Sequence, residues 1–152
     1  MATNLLRVFA ILLTAITLSA ALAHLFSLPN KMHLSADEYF AAQQIYAGWN
    51  RIGIAVILAL IACGALTLRL RGQPDFGGSL AATVLIASAL AVFFMLVFPA
   101  NQATVNWTQR PATWDALRRR WEYGHALSAV LYFGALVCLT WSTVVSRRQW
   151  GP

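Results

Sequence analysis

The residues that could carry out chemistry are concentrated in one charged and aromatic stretch, from Trp114 to His125, directly before an apolar segment. At about 100° per residue, a helix places Trp114, Arg118, Trp121, Glu122 and His125 on one face. A carboxylate, a guanidinium and an imidazole within reach of one another are suited to moving a proton to or from a bound molecule. The pattern therefore predicts a polar site where a hydrophobic helix begins.

The elements that position this site are expected to lie in a membrane. Of the 152 residues, 59% are hydrophobic and 11% are charged, whereas an ordinary soluble domain has roughly 25% charged residues. The formal net charge is +6, but the basic residues form no long run, so anionic lipid headgroups explain the excess better than nucleic acid does. We expect an integral membrane protein, of a bacterial inner membrane, with the lipid bilayer and no nucleic acid as its partner.

Four apolar segments are long enough to cross a bilayer, for which about 20 residues suffice. They cover residues 5–28, 49–70, 80–98 and 114–145. Pro99 is expected to end the third segment, and a polar linker is expected from Pro29 to Ser35. Ser35 and Glu38 have the capping-box spacing that starts a helix in the first loop.

The fold prediction is therefore an all-α, four-transmembrane-helix bundle that forms a single membrane domain over residues 1–152. Extramembrane helical extensions are expected in the first and third loops. Both termini would lie on one side of the membrane and the two long loops on the other.

The termini are expected to be cytoplasmic, because Arg147 and Arg148 directly flank the last span. A cleaved signal peptide is the alternative to a retained first helix, since Ala21-Leu22-Ala23 has the form of a cleavage site. The apolar run continues beyond that position, which favours retention.

The histidines and acidic residues are distributed asymmetrically between the two sides. All three histidines and four of the five acidic residues lie in the half with the long loops. His24 lies about one turn before the end of the first predicted helix, and His125 enters the fourth at a similar depth. We therefore expect His24, Asn101, Glu122 and His125 to meet at a mouth on the membrane surface.

In the acid–base interpretation, His24, Glu122 or His125 removes a proton from an acidic carbon or phenol, and Arg118 stabilises the anion formed. The ligand would be a small hydrophobic molecule. The residues expected to bind it, as amide donors or aromatic walls, are Tyr46, Asn101, Asn106, Trp107, Trp114 and Trp121.

Other interpretations remain open at this point. His24, Glu122 and His125 could bind a mononuclear metal, and a haem could lie between the two histidines. A di-iron centre is excluded, because Glu122-x-x-His125 supplies only half of the required motif. Structural roles are also available: an ion pair between Arg118 and Glu122 four residues apart, and interface anchoring by the tryptophans.

The motifs, taken in order, carry a resemblance. A histidine late in the first helix is followed by Tyr46-Ala-Gly-Trp49-Asn50, Pro99-Ala-Asn101, Asn106-Trp107 and the stretch from Trp114 to His125. This pattern resembles the anthrone oxygenase-like family of small four-helix membrane proteins, over most of the chain and most strongly from Pro99 to His125.

In those members of the family with an assigned role, the resemblance implies oxidation of an activated aromatic carbon by dioxygen, with the need for a cofactor left open. The expected function is therefore a membrane oxidoreductase. The alternative is a non-catalytic membrane subunit or a haem- or metal-binding membrane protein.

Overall fold

The computed structural model describes the backbone of residues 1–148 and the side chains of residues 1–144. The side chains of Arg147 and Arg148, on which the expected orientation depends, lie outside the described residues. The described α-helices are α1 (Ala2–His33), α2 (Ala36–Gln43), α3 (Ile52–Arg69), α4 (Phe76–Val92), α5 (Phe98–Ala103) and α6 (Trp114–Arg148).

Four helices within residues 1–148 are long and apolar enough to cross a membrane. These spans are Ala2–His33, Trp49–Arg69, Phe76–Ala103 and Trp114–Val144. Their outer faces carry large apolar side chains such as Phe9, Ile61 and Trp141, each more than 60% exposed. Lipid accommodates such a surface, whereas water would not. The expected all-α, four-transmembrane-helix bundle of an integral membrane protein is confirmed.

Contacts on one side of the bundle place the amino terminus, the second loop and the end of α6 together. Arg7 pairs with Asp75 in the second loop. The Cβ of an alanine at position 78 would lie 2.7 Å from Ser142 Cβ, so Gly78 permits α4 to cross closely over α6 there. The two long loops consequently lie at the opposite end.

The prediction of a linker that begins at Pro29 is wrong, because α1 continues through this proline to His33. Pro29 has no N–H to donate to the preceding turn. The end of α1 is instead supported from α6, since Arg118 Nη1 donates to the carbonyl oxygens of Leu34 at 2.9 Å and Lys31 at 3.4 Å. As a result, Lys31 lies two helical turns beyond His24 on the same face of α1.

The expectation that Pro99 ends the third span is also wrong. From α4 the helix continues through a π-helical segment, Phe93–Val97, into α5. The Phe98 N–H donates to the carbonyl of Phe93, five residues earlier, and Pro99 has no N–H. Arg120 Nη2 donates to the carbonyl of Met95, the group that an N–H at position 99 would reach in an α-helix. This contact with α6 lets the helix continue and keeps Asn101 on it.

Gly124 allows α6 to lie directly against the π-helical segment. A Cβ at this position would lie 2.9 Å from Val97 Cγ2 and 3.2 Å from Leu96 Cβ. The close approach positions the neighbouring Glu122 and His125 in the interior of the bundle.

Candidate functional site

A cavity of about 710 Å³ opens among α1, α3, α6 and the π-helical segment, at the end of the bundle with the long loops. Its wall is mostly apolar and aromatic. The residues of the predicted site that line it are His24, Tyr46, Asn101, Asn106, Trp107, Trp121 and His125. We refer to it as the loop-side cavity.

The other predicted site residues, Trp114, Arg118 and Glu122, are not among the residues that line this cavity. Trp114 packs beneath the Arg118 guanidinium, whose central carbon lies 4.7 Å from the centre of its ring. Arg118 pairs with Asp115 and holds the end of α1, so it does not form the expected ion pair with Glu122. Glu122 lies behind the wall and is 1% exposed.

Two histidines from opposite parts of the chain meet at the cavity wall. The rings of His24 and His125 stack, with centroids 4.1 Å apart and planes inclined by 21°. Trp121 packs at a steep angle against both rings, with centroid separations of 4.9 Å and 4.3 Å. Helices α1 and α6 thus place two stacked imidazole rings at the wall of a mostly apolar cavity.

A buried charge network lies behind the histidines. Lys31 Nζ is 2.7 Å from Glu122 Oε2, and the two side chains are 7% and 0% exposed. Glu122 Oε1 accepts hydrogen bonds from Tyr39 Oη at 2.9 Å and from Gln43 Nε2 at 3.5 Å. Because breaking a buried ion pair leaves an uncompensated charge in a low-dielectric interior, this network fixes the relative positions of α1, α2 and α6.

The network also determines which nitrogen of His24 carries its proton. Lys31 Nζ lies 3.4 Å from His24 Nδ1 and packs over the rings of Tyr46 and Trp121. An ammonium group can only donate, so Nδ1 must accept and the neutral imidazole carries its hydrogen on Nε2. Neither ring nitrogen of His125 has a hydrogen-bond partner among the described residues. His24 is therefore a fixed donor, and His125 has a free acceptor.

Helix α2 lies outside the membrane spans and carries Tyr39 and Gln43, which contact Glu122 in the buried charge network. Its start is the expected capping box: Glu38 Oε2 accepts from the Ser35 N–H at 2.9 Å and from its hydroxyl at 2.6 Å. These hydrogen bonds lower the pKa of Glu38. Burial, and then the Glu122 carboxylate, raise the pKa of Tyr39 far above its ordinary value, so its phenol stays protonated and donates.

Asn101 is oriented by two indoles. Its Oδ1 accepts hydrogen bonds from Trp107 Nε1 at 3.1 Å and from Trp121 Nε1 at 2.8 Å. Since both partners are donors, the amide orientation is unambiguous and its NH₂ group is left to donate. At the cavity wall, Asn101 is therefore suited to bind an oxygen atom.

A left-handed turn brings Trp107 back into the site. Val105, Asn106 and Trp107 have φ values of 48°, 53° and 63°, and a β-branched residue such as valine rarely adopts this conformation. The Trp107 N–H donates to Thr104 Oγ1 at 3.1 Å, and the side chain is 3% exposed. Such strain, of order 1–3 kcal/mol per residue, persists where the surroundings determine the conformation, often at functional sites.

The sequence interpretation missed three members of the network, namely Lys31, Tyr39 and Gln43. Lys31 was assigned to a linker, although its separation from His24 corresponds to two helical turns. Tyr39 and Gln43 are one turn apart on α2, which was the available signal that they share a face.

The donor geometry does not fit the metal or haem interpretations. Among the described residues, no group of three or more His, Cys, Asp or Glu side chains could hold a metal ion. Of the candidates, Glu122 is occupied by Lys31 and Tyr39, and the rings of His24 and His125 face each other. Their separation of 4.1 Å leaves no space for a porphyrin between them.

Comparisons with known proteins supply no relative for this chain. No protein-family model, curated protein or solved structure matches it. The resemblance to the anthrone oxygenase-like family accordingly stays a prediction from the motifs, and the site is interpreted from its own geometry.

Proposed function

We propose that this chain is a membrane oxidoreductase of the anthrone-oxygenase kind, which oxidises an activated carbon of a small hydrophobic, aromatic molecule with dioxygen. The observation that carries the proposal is the stacked pair of His24 and His125 at the wall of an apolar cavity of about 710 Å³, with a buried ion pair behind it. A cavity of this size and lining suits a small apolar ligand, and the convergent polar groups supply the chemistry.

His125 is the proposed general base. It lines the cavity and has a free ring nitrogen, so it can accept a proton from an acidic carbon of the bound molecule. The imidazolium that forms lies with its centre 4.3 Å from the centre of the Trp121 ring, within the range in which an aromatic ring attracts a cation.

His24 and Asn101 are proposed to stabilise the anion left by proton removal. His24 offers Nε2–H and Asn101 offers its NH₂ group, so an enolate oxygen at the wall has donors fixed before the reaction begins. Lys31 and Glu122 act through His24 as positioning residues. Arg118, first expected to bind the anion, is proposed to act through α1 and Lys31 instead.

The reaction balances without a further reactant. A methylene group and one dioxygen molecule give a carbonyl group and one water molecule. The carbanion formed by proton removal supplies electrons to dioxygen, and the second hydrogen of the methylene leaves with the departing oxygen atom as water. The low polarity of the cavity favours both substrates, since each partitions into apolar surroundings.

The bundle is proposed to lie in a bacterial inner membrane with cytoplasmic termini. Two of the basic residues on the loop side, Lys31 and Arg118, are buried and partnered, which reduces the exposed positive charge there. Cytoplasmic loops carry an excess of exposed Lys and Arg. Single cysteines are introduced at exposed Thr108 and at Arg71 in a chain whose Cys63 and Cys138 are replaced by serine, and are labelled in intact cells. Thr108→Cys should react with an impermeant maleimide and Arg71→Cys should not. The reverse pattern contradicts it.

Turnover tests the proposed function. With 9-anthrone as the probe, the purified protein in lipid nanodiscs should consume dioxygen and form the quinone. The His125→Gln variant should lose about 10²–10⁴-fold in rate, the usual contribution of general base catalysis. His33→Gln is the matched control, because His33 is an exposed histidine at the end of α1.

Three results would contradict the proposal. Equal rates for His125→Gln and the native chain would show that His125 is not the general base. Alanine at Glu122 or His125 should also abolish turnover with the protein still inserted, and full activity in both variants would leave the site without a catalytic role. Binding of anthrone with no dioxygen uptake would indicate a non-catalytic binding protein.

A further inference from the structure

The deep end of the loop-side cavity contains a polar group that the proposed reaction does not use. Tyr132 on α6 lines the cavity and is 6% exposed. Its hydroxyl group makes no hydrogen bond with any described residue. Since Tyr132 lines the cavity, the hydrogen-bond partner of its hydroxyl group is either water or a bound molecule.

Other buried hydroxyls near this depth are satisfied by their own helices. Thr17 Oγ1 donates to the carbonyl of Leu13 at 2.6 Å, and Ser128 Oγ donates to the carbonyl of Gly124 at 2.9 Å. A tyrosine hydroxyl lies too far from its own backbone for this arrangement. Tyr132 therefore differs from its neighbours, because its partner must come from outside the described residues.

The depth of Tyr132 follows from helix geometry. It lies two turns beyond His125 on α6, a distance of about 10 Å along the helix axis at 1.5 Å per residue. Thr17 lies two turns before His24 on α1, which runs in the opposite direction. Since the two histidines stack, Thr17 and Tyr132 lie at a similar depth, and both line the cavity. The cavity thus extends from the histidine pair to this level.

We infer that the deep end of the cavity is a second polar subsite, in which the Tyr132 hydroxyl hydrogen-bonds an oxygen atom at the far end of the ligand. The inference rests on the proposed function and specifies its ligand. The molecule is elongated and apolar, with its reacting carbon at the histidine pair and a hydroxyl or carbonyl oxygen up to about 10 Å deeper. A ligand that lacks this oxygen leaves the phenol unpaired and binds more weakly.

Two matched probes test this subsite: 2-naphthol, and 2,6-dihydroxynaphthalene, which adds a hydroxyl at the opposite end of the rings. Their dissociation constants are measured by equilibrium dialysis of the purified protein against the same detergent without protein, which removes partitioning into micelles. The native chain should prefer the diol roughly 2- to 10-fold, as expected for one neutral hydrogen bond. Tyr132→Phe should bind both probes with equal affinity and keep the affinity for 2-naphthol.

Tyr123→Phe is the control, because it removes the same atom from an exposed tyrosine on the same helix, and it should keep the preference of the native chain. The subsite is contradicted if Tyr132→Phe still prefers the diol, or if the native chain shows no preference for the diol. In either case the naphthols still bind, so the cavity is retained as a binding site. Failure of both naphthols to bind the native chain contradicts the cavity as a site for small aromatic molecules, and with it both proposals.

Discussion

Replacing Lys31 by methionine removes the ammonium group that lies 2.7 Å from Glu122 Oε2 and keeps an apolar side chain of similar length. At this separation two unit charges attract by about 6 kcal/mol if the effective dielectric constant is about 20. Desolvation of both groups offsets much of this attraction. The variant, however, leaves a carboxylate buried without its counter-charge, so we expect it to be less stable by about 3–5 kcal/mol.

A double-mutant cycle isolates the interaction between the two side chains. Lys31→Met and Glu122→Gln should each destabilise the protein, and the double variant should lose less than the sum of the two, with a coupling energy of about 1.5 kcal/mol or more. The pair of Arg110 and Asp37 is the control. Its atoms are 2.6 Å apart, but its side chains are 51% and 92% exposed, so its coupling should be about 0.2–1 kcal/mol.

Reversible unfolding by sodium dodecyl sulfate in mixed micelles, followed by tryptophan fluorescence, gives the four free energies of each cycle. If the coupling between Lys31 and Glu122 is no larger than that of the exposed pair, the assignment of a buried structural ion pair is refuted. Additive losses in the single variants would mean that each side chain acts through other contacts.

Three further outcomes are expected elsewhere in the chain. Gly124→Val should destabilise the bundle by about 1–3 kcal/mol in the same unfolding assay, because the new Cβ lies 2.9 Å from Val97 Cγ2; an unchanged stability would contradict the close packing. Asn101→Leu should leave two buried indole N–H groups unpaired, at about 1–3 kcal/mol each, and shift the tryptophan emission; identical spectra would count against this contact. The pKa of Glu38 is lowered by Ser35, so its capping contribution should be complete above the ordinary carboxyl pKa and lost as pH falls through the lowered value. Amide hydrogen exchange at the start of α2 measures this, and Glu38→Gln should remove the dependence.

The four spans could be predicted because each apolar run exceeds the thickness of a bilayer, which is a property of the local sequence. The ends of two spans could not, because both predictions treated a proline as a stop. At Pro29 and Pro99 the helix continues. Arg120 binds the carbonyl oxygen of Met95, which Pro99 cannot reach with an N–H, and Arg118 binds the carbonyl oxygens of Lys31 and Leu34 at the end of α1; both arginines are distant in sequence from the helix that they support. Local propensity was overridden by tertiary contacts that only the folded chain reveals.

The contact between His24 and His125 could be predicted from the sequence, because the two residues lie at similar depths in the first and fourth spans. The partner of Glu122 could not be predicted. The spacing of four residues favoured Arg118 on the same helix, and Lys31 was placed outside α1. Moving one helix end by a few residues therefore changed the chemistry of the site. The left-handed conformation of Trp107 had no signal in its residue type, since glycine or asparagine is expected at such positions.

The buried pair of Lys31 and Glu122 holds His24 with its Nε2–H directed away from Lys31, at the cavity wall. Solid-state NMR of protein with ¹⁵N-labelled histidine in lipid bilayers measures this directly, with signals assigned by replacing each of the three histidines in turn. His24 should show an unprotonated Nδ1 and a protonated Nε2, and Lys31→Met should abolish this fixed tautomer. A protonated Nδ1 in the native chain, or a tautomer that does not respond to Lys31→Met, would contradict the account.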